Sequence, residues 1–174
     1  GSLTVGPSSG QVRTGIYTEI LSSYPAFNSY TFTPLARVKL GGGGDFVLAS
    51  GSTLTSTQAN VTIADGQKAI ISSGASFSMG SSNVFDIGNT SELKFNNGSV
   101  ATMNNSSIIN NFGTGRFDSS LVTNFEFGGT YNTNYTATNL FGPNTTLLSS
   151  GRITHPANTT AKVYWLDLSF TNLQ

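Results

Sequence analysis

Residues Gly6 to Gly10 read GPSSG, which matches the G-x-S-x-G pattern of a nucleophile elbow, and the single histidine, His155, follows downstream as a catalytic triad requires. Such an elbow places a serine hydroxyl on a strained turn between a strand and a helix, where it can attack an acyl group. The flanking sequence shows no helical periodicity. In a chain this rich in glycine and serine, we therefore interpret the match as accidental.

Paired carboxylates are the second possible source of chemistry, because a glycoside hydrolase needs two of them roughly 5–10 Å apart. Asp118 and Glu126 occupy equivalent positions of adjacent sequence blocks, and Asp86 stands apart from both. Lys94 precedes Asp118 by 24 residues and is its expected ion-pair partner. We predict that the chain has no catalytic residues and is not an enzyme. A polysaccharide-degrading tail spike, either a glycosidase or a lyase, is the alternative.

The composition excludes several kinds of partner. The 174 residues include no cysteine and one histidine, so a zinc site lacks ligands, and no acidic calcium-binding run occurs. Eight Lys and Arg balance eight Asp and Glu, which leaves no basic patch for a phosphate backbone. No apolar run approaches the roughly 18 residues that span a membrane. We expect no metal, no cofactor, no nucleic acid and no membrane insertion.

An eight-residue repeat is the strongest feature of the sequence. Nine blocks run from Ser56 to Phe127, and the sixth position of every block is apolar. The eighth position is also apolar, except at Asn111 and Ser119. Apolar residues two apart point to one face of a strand, and the small or polar third and fourth positions are typical of turns. Each block therefore predicts a short strand followed by a corner.

The charged residues indicate how many blocks form one turn. Lys68, Glu92 and Arg116 share the fifth position of blocks that lie 24 residues apart, and Lys94 and Asp118 share the seventh. If three blocks form a turn, the first three residues stack about 4.8 Å apart with alternating sign, which is favourable. The sequence thus predicts an all-β fold, a parallel β-helix solenoid with three octad sides in each rung of about 24 residues. An intertwined triple-stranded β-helix of three chains is the alternative.

The octads suggest three regions. Residues 46–127 form the predicted coil. Residues 1–45 are predicted as a β-rich N-terminal cap or a linker from an upstream domain, ending in a run of four glycines. Residues 128–174 lose the octad and are predicted as a β-rich C-terminal cap or tip, because an uncovered coil end exposes strand edges that promote aggregation.

The stretch ISSGASFSMGSSNVFDIGNTSELKF, residues 71–95, resembles the β-helical repeats of phage tail spikes and fibres, of bacterial trimeric adhesins and of autotransporter passenger domains. The resemblance covers residues 46–127 and concerns architecture. It implies a homotrimer on a virion or bacterial cell surface. Apolar residues at outward fifth positions also suggest an interface, and we predict Val84, Val100 and Ile108 as trimer contacts. A partly inward fifth position is the alternative.

The predicted ligand-binding residues lie in the C-terminal region. Tyr131, Tyr135, Tyr164 and Trp165 combine a flat apolar face with a polar group, which suits sugars and protein partners. His155 is expected beside them, as a loop or tip side chain. A role in the core of the cap is the alternative, above all for Trp165.

Together these features predict the distal fragment of a trimeric viral or bacterial surface fibre. We expect this extracellular fragment to bind a cell-surface glycan or protein receptor through its C-terminal tip, without catalysis. A purely structural surface module is a further alternative.

Overall fold

In the computed structural model, which describes residues 2–5, 18–23, 27–155 and 164–165, the chain winds into a parallel β-solenoid of about six turns. Each full turn contributes one strand to each of three parallel sheets. Within the described residues there is no helix, and so none that could cross a membrane. Every strand pairs with strands of the same chain one turn away, which confirms a single-chain coil and contradicts the intertwined alternative.

From β3 onward, the strands enter the three sheets in strict rotation. Sheet A contains β1 Ser2–Val5, β3 Ser29–Phe32, β6 Thr53–Ser56, β9 Ser76–Met79, β12 Val100–Met103, β15 Asn124–Phe127 and β18 Thr145–Leu147. Sheet B contains β2 Thr18–Ile20, β4 Arg37–Leu40, β7 Asn60–Ile63, β10 Val84–Ile87, β13 Ile108–Asn111, β16 Thr130–Thr133 and β19 Arg152–Thr154. Sheet C contains β5 Phe46–Leu48, β8 Lys68–Ile71, β11 Glu92–Phe95, β14 Arg116–Ser119, β17 Thr138–Phe141 and β20 Tyr164–Trp165.

The sixth and eighth octad positions face inward and fill the core. Phe77, Phe95 and Phe125 are buried. The ring centroids of Phe77 and Phe95 lie 5.5 Å apart, and those of Phe95 and Phe125 lie 5.9 Å apart. Contacts of this kind add to the stabilisation that burial of the rings already supplies. The fifth and seventh positions of the same strands point outward, so the chemistry of the surface is set by two columns of side chains on each sheet.

Left-handed backbone at the third octad position forms the corners. Gly66, Gly74 and Gly98 have φ angles of 73°, 73° and 86°, which glycine adopts without a steric penalty. Ser82 and Thr90 hold φ angles of 55° and 57° at the same position. The repeated small residues of the octad therefore reflect a repeated turn geometry, as the sequence predicted.

The coil extends beyond the predicted limits of 46 and 127. Strands β3 and β4, inside the region predicted as a cap or linker, belong to sheets A and B, and β16 to β19 continue all three sheets. The octad disappears after Phe127 because the next corner is only Gly128-Gly129, so Ile108 pairs with Thr130 just 22 positions later. A Cβ atom on Gly129 would lie 2.5 Å from a backbone oxygen, so this short corner requires glycine. A capping role for the terminal residues stays a prediction.

Candidate functional site

Sheet C carries the predicted charge ladder. Lys68 Nζ lies 3.3 Å from Glu92 Oε2, and Arg116 Nε donates a 2.9 Å hydrogen bond to Glu92 Oε1, which confirms the alternating stack. Glu92 is sheltered, with 13% of its side chain exposed, but both cations are about half exposed. Solvent therefore weakens each pair to about 1 kcal/mol or less. This face stabilises the coil and holds few uncompensated charges for a ligand.

Asp118 pairs with a different cation from the one predicted. Lys94 is its register neighbour, as expected, but Asp118 Oδ2 accepts a 2.8 Å hydrogen bond from Arg116 Nη2, two residues along the same strand. Burial raises the pKa of Asp118, but hydrogen bonds from Ser120 and Arg116 outweigh it, and the pKa lies below its usual value. The hydrogen bond to Asp118 correspondingly raises the pKa of Arg116. An ionised, bonded carboxylate of this kind is unsuited to serve as the general acid of a glycosidase.

A column of hydrogen-bonded polar side chains runs along sheet B, and we call Asp86, Asn110, Asn132 and Thr154 the amide ladder. Asn110 Nδ2 donates to Asp86 Oδ1 at 2.7 Å, and Asn132 Nδ2 donates to Asn110 Oδ1 at 2.8 Å. Thr154 Oγ1 donates to Asn132 Oδ1. All donors point toward the Asp86 carboxylate, so each hydrogen bond polarises the next. Because an asparagine amide has two N–H groups and two acceptor positions, each ladder amide retains capacity for a ligand.

Three exposed rings line the corner between sheets B and C, which we call the B–C edge. Phe112 follows β13 and is 43% exposed, Tyr135 lies in the turn after β16 and is 52% exposed, and exposed His155 follows β19. These strands are neighbours in sheet B, so the three residues stand on consecutive rungs beside the amide ladder. Two residues that the sequence predicted, Tyr135 and His155, thus follow neighbouring strands of sheet B, and Phe112 follows the next strand of that sheet.

Tyr131 lies inside the solenoid and is fully buried, so the prediction that it contacts a ligand is wrong. It is the register partner of Ile109, an inward sixth-position residue. Its hydroxyl accepts a 2.9 Å hydrogen bond from Asn111 Nδ2 and donates a 2.5 Å bond to Asn139 Oδ1. Burial raises the pKa of Tyr131 well above its usual value, although the Asn111 hydrogen bond opposes this. The two-residue corner before β16 shifts Tyr131 out of the octad pattern, so the sequence did not indicate this inward position.

Asn111, which broke the eighth-position rule, anchors a buried polar cluster around Tyr131. Its Nδ2 also donates to Asn139 Oδ1 at 2.9 Å, and Thr133 Oγ1 donates to the same oxygen at 3.0 Å. Its Oδ1 accepts no hydrogen bond within the described residues, and it lies 2.3 Å from the point that a Cβ atom on Gly115 would occupy. The cluster is a structural element of the core, where nearly all of its polar groups bond to one another.

The remaining predicted residues are dispersed. Tyr164 and Trp165 pair with Leu140 and Phe141 as the last strand of sheet C, and their contact with a ligand stays a prediction. The GPSSG segment lies outside the described residues.

The predicted trimer contacts lie on two faces. Val84 and Ile108 are half-buried register neighbours on sheet B, whereas Val100, which is 39% exposed, lies on sheet A. The three valine and isoleucine side chains therefore do not form one continuous stripe. Only the Val84–Ile108 pair forms a local apolar patch.

No group of three or more His, Asp or Glu side chains in the described part of the chain is placed to hold a metal ion. Comparisons with protein-family models, with curated proteins and with solved structures found no match. The chemistry of the outer faces is therefore the basis for assigning a function.

Proposed function

We propose that the chain is a non-catalytic attachment module of a trimeric viral or bacterial surface fibre, and that it binds a cell-surface glycan along the B–C edge. The observation that supports this most strongly is the juxtaposition of exposed rings with the amide ladder. A pyranose ring has an apolar C–H face and a rim of hydroxyl groups. Aromatic rings pack against the first, and asparagine amides hydrogen-bond to the second.

The length of the edge favours an oligosaccharide over a single sugar. Phe112, Tyr135 and His155 stand on three consecutive rungs, which span about 10 Å at the usual strand spacing. A glycan lying along the solenoid axis would meet the rings on one side and the ladder on the other. Tyr135 and His155, with Asn132 and Thr154 of the ladder, lie in residues 128–174, where the sequence predicted the receptor contact, whereas Phe112, Asn110 and Asp86 precede that region.

The trimer in this proposal is formed through the Val84–Ile108 pair. These residues occupy the first outward position of their strands, on the side of sheet B nearer to sheet A, whereas the amide ladder occupies the third. Contact between copies through the first column leaves the B–C edge exposed to solvent. The expected mass in solution is about 55 kDa, three times the 18.2 kDa chain.

A glycan array probed with the purified chain, followed by titration of the best ligand, tests the proposal. Tyr135→Ala should weaken binding about tenfold, because truncation of a central aromatic contact commonly costs at least that much. Leu121→Ala is the matched control, since Leu121 is 54% exposed on a different corner. Leu121→Ala should leave binding within about twofold. Absence of any glycan ligand, or equal effects of the two substitutions, would contradict the proposal.

A further inference from the structure

Sheet A presents a surface that the glycan proposal does not use. We call it the hydroxyl face, and it consists of the outward side chains of β3, β6, β9 and β12: Ser29, Thr31, Thr53, Thr55, Ser76, Ser78, Val100 and Thr102. Seven of these eight residues are serine or threonine, and none is charged. Sheet C carries an ion-pair ladder at the equivalent positions, so the absence of charge is particular to this face.

The hydroxyl face is a two-dimensional array in unbroken register. Ser29, Thr53, Ser76 and Val100 form one column of directly paired residues across four rungs. The second column, two residues further along each strand, is Thr31, Thr55, Ser78 and Thr102. Adjacent rungs lie about 4.8 Å apart, and the two outward positions of one strand lie about 6.6 Å apart. The array ends at the next rung, where Asn124 follows Val100 in the first column and Glu126 follows Thr102 in the second.

The hydroxyl groups of this face are free to bind something outside the chain. Within the part of the chain that the structure describes, none of the seven hydroxyls forms a side-chain hydrogen bond, in contrast to the bonded amide ladder of sheet B. Threonine is also stiff about χ1. Each threonine hydroxyl and methyl group is therefore held in a narrow range of positions before a ligand arrives.

We propose that the hydroxyl face binds ice. The surface of ice exposes water oxygens in regular rows, so it presents repeated hydrogen-bonding groups to a repeated array of hydroxyls. A dissolved sugar or protein offers no such lattice. Many weak contacts add together when the array is already ordered, because little conformational freedom is lost on binding. The threonine and valine methyl groups fit between the rows of water, and no strongly hydrated ammonium group disturbs them.

Ice activity of the purified chain tests this inference directly. Thermal hysteresis and inhibition of ice recrystallisation are measured for the unmodified chain and for Thr55→Lys and Thr102→Lys. Thr62→Lys is the matched control, because Thr62 holds the same outward third position of its strand on sheet B. We expect the unmodified chain and Thr62→Lys to be active, and each sheet A variant to lose at least about four-fifths of the hysteresis. Circular dichroism melts verify that all variants fold.

Two results would overturn the inference: no ice activity in the unmodified chain, or undiminished activity in folded Thr55→Lys. Binding to powdered crystalline cellulose or chitin, lost in Thr55→Lys and unaccompanied by ice activity, would assign the face to a crystalline polysaccharide instead. The test is independent of the glycan proposal, because Tyr135 lies on another corner. Tyr135→Ala should weaken glycan binding about tenfold and leave ice activity unchanged.

Discussion

Arg116 Nε donates a 2.9 Å hydrogen bond to Glu92 Oε1, and the two residues are register partners 24 positions apart in adjacent rungs. Glu92 is flanked on its other side by Lys68, whose Nζ lies 3.3 Å from Glu92 Oε2. One carboxylate thus bridges two cations across three rungs. The stability of sheet C therefore depends on the sign of the charge at position 92.

Glu92→Lys should lower the free energy of unfolding by about 1–2 kcal/mol, because two attractions between neighbouring rungs become two repulsions. Urea denaturation measures the change. Glu126→Lys is the control, since Glu126 is exposed on sheet A and forms no ion pair within the described residues. Equal destabilisation by the two substitutions would show that the charge ladder of sheet C makes no specific contribution to stability.

Asp118 should make stability depend on pH in the acid range. Its pKa in the folded chain lies below the unfolded value of about 3.9, so its contribution is fully present above about pH 4 and is lost as the pH falls through the folded pKa. Asp118→Asn lacks this dependence. The difference in melting temperature between the unmodified chain and Asp118→Asn should therefore shrink from about pH 4 to about pH 2. A difference that stays constant over this range would contradict the assignment.

Gly115→Ala should destabilise the fold by about 1–3 kcal/mol through overpacking. A Cβ atom at this position would lie 2.3 Å from Asn111 Oδ1 and 2.9 Å from the backbone oxygen of Gly88, which cannot move aside easily. Gly44→Ala is the matched control, because its nearest neighbour would lie 3.8 Å away. Neither glycine has a left-handed φ angle, so the comparison measures the cost of steric overlap without a contribution from backbone strain. Thermal melts of both variants give the result.

Tyr131→Phe tests whether the buried Tyr131 contributes to stability alone, in contrast to the exposed Tyr135, which is proposed to bind the glycan. Loss of its hydroxyl removes an acceptor from Asn111 and a donor from Asn139 in a buried cluster, which should cost about 1–3 kcal/mol of stability. Glycan affinity of the folded Tyr131→Phe variant should be unchanged, whereas Tyr135→Ala should weaken it about tenfold. Denaturation and titration of the same preparations give both values. Weaker binding by well-folded Tyr131→Phe would mean that the core cluster shapes the ligand surface.

The architecture was predictable because its physical causes repeat in the sequence. Stacked rungs place like positions together, so Lys68, Glu92 and Arg116 revealed the 24-residue turn, and the corners repeat the small residues that left-handed backbone favours. The octad ends where the corner shortens to Gly128-Gly129, since a fixed period cannot follow a changed turn. The same shift made buried Tyr131 look like a surface residue.

The candidate site was harder to predict because it depends on neighbours from different turns. Asp86 and Asn110 share the seventh octad position, and this 24-residue spacing was a usable signal for the amide ladder. The 22-residue step to Asn132 concealed its continuation. Phe112 occupies the first octad position, where the pattern is polar or small, and its exposure follows only from the corner that carries it.

The most direct test of the account is to map where a glycan contacts the folded chain. ¹⁵N-labelled protein is titrated with the best ligand from the array, and amide shifts are followed in two-dimensional NMR spectra. We predict that the largest shifts fall at residues 110–113 and 132–136, along the B–C edge and the amide ladder. Shifts confined to sheet A or sheet C, with none at these positions, would contradict the account.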